Sequence, residues 1–353
     1  MGAALLALAA SVPARFAHAS EPIVDCVPVG EAHPICGFHH PEDLALLPGG
    51  RFLVVSQMGR LEGFTPGTIA LYELETDTLT IAFPLADLAQ APSEGWGDAS
   101  CPSAPPKLSP HGLSLGTRPD GKLQLLVVNH GREAVEFFEI SDTATVPQLT
   151  WRGCVMAPDP LFMNDVAALP DGGFVATHMF PRGNEKSAGL RGIFGGATGY
   201  VVEWHAGKGL VKVEGSDADM PNGIEASADG KDLFVAAYLK NEVFRFSRSE
   251  GKVTARTALT RPDNLSWSPD GSLLVASHDA MLSEMLDCRN IKHGACGAGF
   301  SIVAIDPATL ATRSLYQHEG APMGAATSAI RVGDDLFIGT NAGDRILRVP
   351  FPK

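Results

Sequence analysis

Short runs of alternating apolar and polar residues, each opened by a polar residue and closed by a glycine-bearing turn, recur along the chain. The clearest copy reads Arg261-Pro262-Asp263-Asn264-Leu265-Ser266-Trp267-Ser268. The turn Pro269-Asp270-Gly271 follows, then the apolar run Leu273-Leu274-Val275-Ala276. Alternation on both sides of an Asp-Gly turn predicts a β-hairpin. The other copies open at Glu42-Asp43-Leu44, His111-Gly112-Leu113, Asn164-Asp165-Val166, Asn222-Gly223-Ile224 and, degraded, Thr327-Ser328-Ala329. One or two further strand-like runs follow each hairpin, as at 68–74, 79–83, 134–140, 200–204 and 302–305. No stretch carries a sustained helical period.

Copies of about four strands, spaced roughly 40 to 70 residues apart, predict a repeat architecture of four-stranded blades. The expected fold is all-β: a six-bladed β-propeller with the first strand of each blade lining the axis. The last copy ends at Arg345-Ile346-Leu347-Arg348-Val349-Pro350-Phe351 after three strands. Its fourth must come from elsewhere or leave an open edge. The segment from Ile23 to Val29 is the expected donor, so the ring is closed by an N-terminal strand. Two inserts, 84–107 and 178–199, leave the ends of strands as loops, where binding residues gather.

Composition then narrows the setting. The net charge of −13 argues against nucleic acid or an anionic membrane surface as a partner. An apolar run from Ala3 to Val12 followed by Ala17-His18-Ala19 reads as a leader over 1–19, with 20–353 as one propeller domain. No other segment is long and apolar enough to span a bilayer. The even cysteine count fits an oxidising location, secreted or periplasmic. Proximity favours Cys26 with Cys36 and Cys288 with Cys296, leaving Cys101 to Cys154, although six cysteines allow many other pairings. The absence of C-x-x-C argues against structural zinc.

The residues that open the inner strands carry the chemistry. Glu42, Asn164, Asn222, Asp263 and Asn264 would place carboxylates and amides on a buried axis, where they cost free energy unless something satisfies them. Such an oxygen set matches what Ca²⁺ takes. A single Asn or Asp at a strand start is more often a turn cap; recurrence at equivalent places favours the cation. Asp43 and Asp165 alternate away from the first set and, with the Leu113 carbonyl, could hold a second cation deeper in the axis. Hydrogen bonding to strand backbone is the competing role. His111 and His130 stand on the two arms of one hairpin and could relay a proton. His178 and His278 end equivalent second strands and are lesser candidates. Gly112-Leu113-Ser114-Leu115-Gly116 matches G-x-S-x-G, but that motif needs a strand–turn–helix elbow and the segment reads as plain strand.

At these residues the chain resembles the paraoxonase family, within the wider gluconolactonase and strictosidine-synthase-like propeller group. The shared stretches are Glu42-Asp43-Leu44, Pro110-His111-Gly112-Leu113-Ser114, Val127-Val128-Asn129-His130, Asn164-Asp165-Val166, Asn222-Gly223-Ile224, Asp263-Asn264-Leu265-Ser266 and Ile338-Gly339-Thr340. The resemblance implies two calcium ions. A catalytic one falls on Glu42, Asn164, Asn222, Asp263 and Asn264, and a structural one on Asp43, Asp165 and the Leu113 carbonyl. It also implies a His111–His130 dyad and the hydrolysis of lactones and aryl esters. The family's ring-closing disulfide reaches the last strand, whereas no cysteine follows Cys296 here. Residues 178–199 depart from the family's lid.

The expected function is therefore a calcium-dependent hydrolase of small-molecule lactones or aryl esters, with Asp263 as an alternative base. Two other readings stand beside it: a sugar-acid lactonase using metal and carboxylate only, and a calcium-stabilised propeller that binds without turnover.

Overall fold

The computed structural model describes residues 21–59, 65–84, 92–141, 143 and 145–352. The leader expected over 1–19 lies outside them, as does part of the 84–107 insert.

The alternating runs form six antiparallel sheets of four strands, each meandering outward from an innermost strand. The innermost strands are Pro41–Leu46, Pro110–Thr117, Met163–Ala168, Pro221–Ala226, Pro262–Trp267 and Ala326–Val332. They touch one another in a closed cycle from the first blade to the sixth and back, which makes the ring. Four begin at proline, which has no ladder N–H to lose at the first residue of a strand. Second strands such as Phe52–Gln57 and Leu273–His278 are buried throughout, since they face a neighbouring blade on both sides. The core accordingly lies between blades. Val54 and Ile69 of the first meet Leu125, Phe138 and Trp151 of the second. Each such side chain contributes about 1.5–3 kcal/mol by leaving water.

Ring closure differs from expectation in its donor. The strand completing the sixth blade is His33–Cys36, pairing His33 with Arg348 and Cys36 with Arg345. Ile23 makes only an isolated bridge to Ala295, and Val24 and Val27 are exposed. Pro28 removes an N–H from the segment expected to pair, whereas an edge position tolerates Pro34. The Cys26–Cys36 disulfide folds 26–32 back on the closing strand. No disulfide reaches the last strand. Fully buried Arg345 ties the closure instead, donating to the carbonyls of Ile23, Asp25 and Pro322. The other disulfides are Cys101–Cys154 and Cys288–Cys296, so the pairing favoured by proximity is the one formed.

Among the described residues two short helices interrupt the strands: α1, Glu185–Ile193, within the insert expected to be loop, and α2, Leu282–Cys288, after the second strand of the fifth blade. Both are below the length at which a helical period stands out. No helix among the described residues is long and apolar enough to cross a membrane.

Candidate active site

In all six blades the ladder between first and second strands slips at the residues singled out above. The slips fall between Pro41 and Asp43, Pro110 and Leu113, Met163 and Val166, Pro221 and Ile224, Pro262 and Leu265, and Ala326 and Ser328. A bulge of this kind frees a residue from the ladder and re-aims its side chain. Directly ahead of four of these strands stand His40, Met220, Arg261 and Ala325, each with positive φ although none is glycine. Such residues cost about 1–3 kcal/mol each and persist where the surroundings enforce them.

The bulges gather one set of oxygens on the axis. Glu42, Asn164, Asn222, Asp263 and Asn264 are all buried there. They line a cavity of about 70 Å³ together with His111 and His278, Asn264 alone sitting behind it through its bond to Glu42. Glu42 Oε2, Asn164 Oδ1, Asn222 Oδ1 and Asn264 Oδ1 have no hydrogen-bond partner, although each is buried. Four such acceptors from four blades, beside the Asp263 carboxylate, could hold a hard cation. Burial, then the charge of Glu42, pushes the Asp263 carboxyl well above its usual range; the Asn222 amide pulls it partly back. A bound cation would remove that conflict. Three of the five residues are amides, and among the described residues no cluster of three or more His, Cys, Asp or Glu is arranged for metal.

Asp43 and Asp165 lie deeper, and the hydrogen bonds to strand backbone weighed for them are formed. Asp43 accepts from the N–H of Leu44 and, across the blade boundary, of Leu113, both at 2.8 Å. Asp165 accepts from Val166 and, across the next boundary but one, from Ile224, again at 2.8 Å. Each aspartate thus staples neighbouring blades. Burial raises both carboxyls well above the usual range; the charge of Glu42 adds to the rise of Asp43, and that of Asp43 to the rise of Asp165. Close, buried carboxylates sharing no proton donor other than backbone leave acceptor capacity for a cation.

The two histidines meet. His111 Nδ1 lies 2.7 Å from His130 Nε2, and His130 Nδ1 lies 3.0 Å from Glu133 Oε2. Glu133 also accepts from Arg182 at 2.6 Å and from the Met163 N–H at 2.7 Å. Burial opposes its charge, but those bonds outweigh it and hold its carboxyl below the usual range. Burial lowers the imidazole of His130, against the opposing pull of Glu133, and so favours the neutral ring. With Glu133 anionic and His130 neutral, the geometry would have Glu133 accept the His130 Nδ1–H and His130 Nε2 accept the His111 Nδ1–H, leaving a lone pair on His111 Nε2. That lone pair faces the oxygen set, 3.4 Å from Glu42 Oε1. The ring of His130 stacks on Phe162, and Phe162 on Phe180.

The remaining candidates separate. His278 belongs to the site: its Nε2 is 3.5 Å from Asp263 Oδ2, its Nδ1 2.9 Å from the Tyr238 hydroxyl, and burial pushes it down to about 4, so it is neutral. His178 instead bonds the Phe162 backbone through Nδ1 and supports the stack. Thr327 is not aimed at a cation; its hydroxyl donates to the Glu42 carbonyl and closes the sixth blade on the first. Ser114 accepts from the Ala168 N–H in an unbroken strand. Glu133 and Tyr238 went unnoticed in the sequence, because a single acid or phenol in a strand-rich chain has no spacing signature.

The profile of the family described as Arylesterase matches residues 38–347, nearly the whole described ring. The chain belongs to the arylesterase family. Membership places it broadly among hydrolases. Human serum paraoxonase/arylesterase 1 is 27% identical over 315 residues, covering 85% of this chain and 82% of that relative. Among solved structures, a gluconolactonase from Xanthomonas campestris superposes with a TM-score of 0.54 at 18% identity, over 91% of this chain and 89% of that one. The calcium-binding protein regucalcin from Agrobacterium tumefaciens gives 0.51 at 14% identity, over 90% and 92%. At these identities the two structural likenesses speak for the propeller fold.

Proposed function

We propose that this arylesterase-family member is a calcium-dependent hydrolase of lactones and aryl esters, working outside the cytosol. The observation that carries the reading is the convergence of four unpaired buried oxygens beside the His111–His130–Glu133 chain. Glu42, Asn164, Asn222, Asp263 and Asn264 would hold one calcium ion, and Asp43 and Asp165, with the Leu113 carbonyl, a second. When bound, the first ion supplies positive charge for the oxyanion that forms on the substrate carbonyl. The names of the human relative and of regucalcin fit this assignment of activity and metal. Three disulfides fit an oxidising, secreted or periplasmic location.

His111 Nε2 takes a proton from the attacking water, because its own Nδ1–H is committed to His130. His130 and Glu133 hold the imidazole in that tautomer and stabilise the imidazolium charge as it forms, as an orienting acid does in a catalytic triad. On release of the alcohol, His111 returns the proton to the leaving oxygen. A second reading places the base at Asp263, whose buried carboxyl binds protons unusually well. Assay of the purified protein against a lactone panel and phenyl acetate, with and without EGTA, tests the proposal. Turnover of either class that is lost with the metal and restored by calcium is expected. Turnover unaffected by complete chelation would overturn it, and binding without turnover would favour a non-catalytic propeller.

A further inference from the structure

We propose that Arg289 selects substrates carrying an anionic group a few atoms from the scissile carbonyl, so that the preferred esters or lactones bear a carboxylate. The inference rests on the hydrolase reading of the same cavity and names its substrate class.

Arg289 follows the last residue of α2 and lines the same cavity as Glu42, Asn222, Asp263 and His278. Its position is built. Met285 and Cys288 of α2 are buried against Ala298, Ala325 and Ala342, and the Cys288–Cys296 disulfide closes the segment just behind the arginine. Its guanidinium is exposed to the mouth and has no hydrogen-bond or ion-pair partner among the described residues. Of the acids on the same segment, Asp287 is not among the cavity-lining residues, and Asp279 and Glu284 are engaged elsewhere. Asp279 accepts from Ser301 and Gln317, and Glu284 accepts from the Met281 N–H at the start of α2.

The charge balance makes Arg289 surplus. Glu42 and Asp263 carry the two negative charges of the oxygen set, so a divalent cation held there is neutralised. No acid is left over for Arg289 within the cavity lining. Nor is it alone, since the guanidinium of Arg261 is held nearby on the Ala280 carbonyl. Both arginines act on the group they flank: burial does most to lower His278, and Arg261 and Arg289 add to it. The rim around Arg289 is apolar, built from Met179, Met220, Leu282, Met285 and Leu286. A guanidinium in such surroundings binds a carboxylate by charge-assisted, bidentate hydrogen bonds. A neutral ester would leave that cation unpaired when the mouth is filled.

Two probes differing only in a terminal carboxylate test this on the calcium-loaded protein: 4-nitrophenyl glutarate monoester and 4-nitrophenyl valerate. Wild type should favour the monoester in kcat/KM, and Arg289→Gln should lower the monoester-to-valerate ratio by about 10–100-fold. Arg289→Lys, which keeps the charge but loses the fork, should retain part of the preference. A wild type that does not prefer the monoester, or a ratio unmoved in Arg289→Gln, would overturn the inference. A binding arm separates its fate from that of the hydrolase reading. The uncleaved anilides glutaranilate and valeranilide are titrated calorimetrically into both proteins. Glutaranilate binding that weakens in Arg289→Gln while neither ester is hydrolysed sustains the anionic subsite and sinks the hydrolase reading. Ester turnover with equal glutaranilate affinity in the two proteins does the reverse.

Discussion

Asn264 donates its side-chain N–H to Glu42 Oε1 across the axis at 2.9 Å, although 222 residues separate them in the chain. The bond occupies one polar atom of each side chain and leaves Asn264 Oδ1 and Glu42 Oε2 buried and unpaired. It also makes a prediction with two opposite signs. Glu42→Gln should weaken calcium binding at least tenfold, because it removes a charge from the ion's ligands. In excess EGTA the same variant should melt higher than wild type, because without metal Glu42's charge adds to the burial that already raises Asp263 and Asp43. Calorimetric titration and melting curves check the pair. Unchanged calcium affinity would remove Glu42 from the ligand set.

The Glu133–His130–His111 chain predicts a graded loss. His111→Gln should lower kcat by about 10²–10⁴-fold with little change in KM, as expected for a lost general base. Glu133→Gln leaves the rings in place but no longer dictates the tautomer, and should cost about tenfold or more in kcat. His130→Gln should be milder than His111→Gln. Near-wild-type kcat in His111→Gln would transfer the role of base to Asp263.

Chelation probes the deeper pair. If Asp43 and Asp165 hold a cation, excess EGTA should lower the melting temperature sharply, since an ion that binds only the folded state stabilises it by mass action. Asp165→Asn should abolish most of that calcium-dependent difference. A melting curve unmoved by EGTA, with metal analysis confirming removal, would leave these aspartates as blade staples alone.

Gly112 makes room for Asp165. A Cβ there would stand 2.1 Å from Asp165 Oδ1 and 2.6 Å from its Cα. Gly112→Ala should therefore destabilise by about 1–3 kcal/mol through overpacking. Gly189 within α1 has nothing within 4 Å of its missing Cβ. Gly189→Ala should be neutral or stabilising by about 0.5–1 kcal/mol. Denaturant midpoints of the two variants provide the comparison.

Glu225 faces the wider mouth at the far end of the axis, a space of about 820 Å³ near Asp43. Burial pushes its carboxyl from 4.5 up to about 8, against hydrogen bonds from Ala226 and Trp267. The folded protein then binds a proton that the unfolded chain has released, so this group costs stability as pH rises from about 4.5 to about 8. Glu225→Gln should give no gain below pH 4.5 and a gain that grows with pH, levelling above about 8. Melting curves across that range at fixed calcium test the sign; a gain that shrinks as pH rises would contradict it.

The reading of the sequence and the structure diverge for physical reasons visible at particular residues. Glu42, Asn164, Asn222 and Asp263 were legible because they recur at one place in a repeat. Asp43 was expected to point away from Glu42 by simple alternation, yet the register slip between Pro41 and Asp43 sets its direction. The closing strand was placed on 23–29 by its apolar residues, while the pairing edge went to His33–Cys36, which competes without Pro28 and is anchored by Cys36. Alternation and turn chemistry are local, and so the sequence by itself determined the strands, the six-fold repeat and the polar head of each inner strand. Partners brought together by ring closure leave no trace in spacing. The tertiary structure alone therefore decided that Arg182 and Met163 anchor Glu133 behind the histidines, that Thr327 seals the ring, and that Arg289 shares a cavity with Glu42 and Asn164, because each depends on segments that meet only once the blades have closed around the axis.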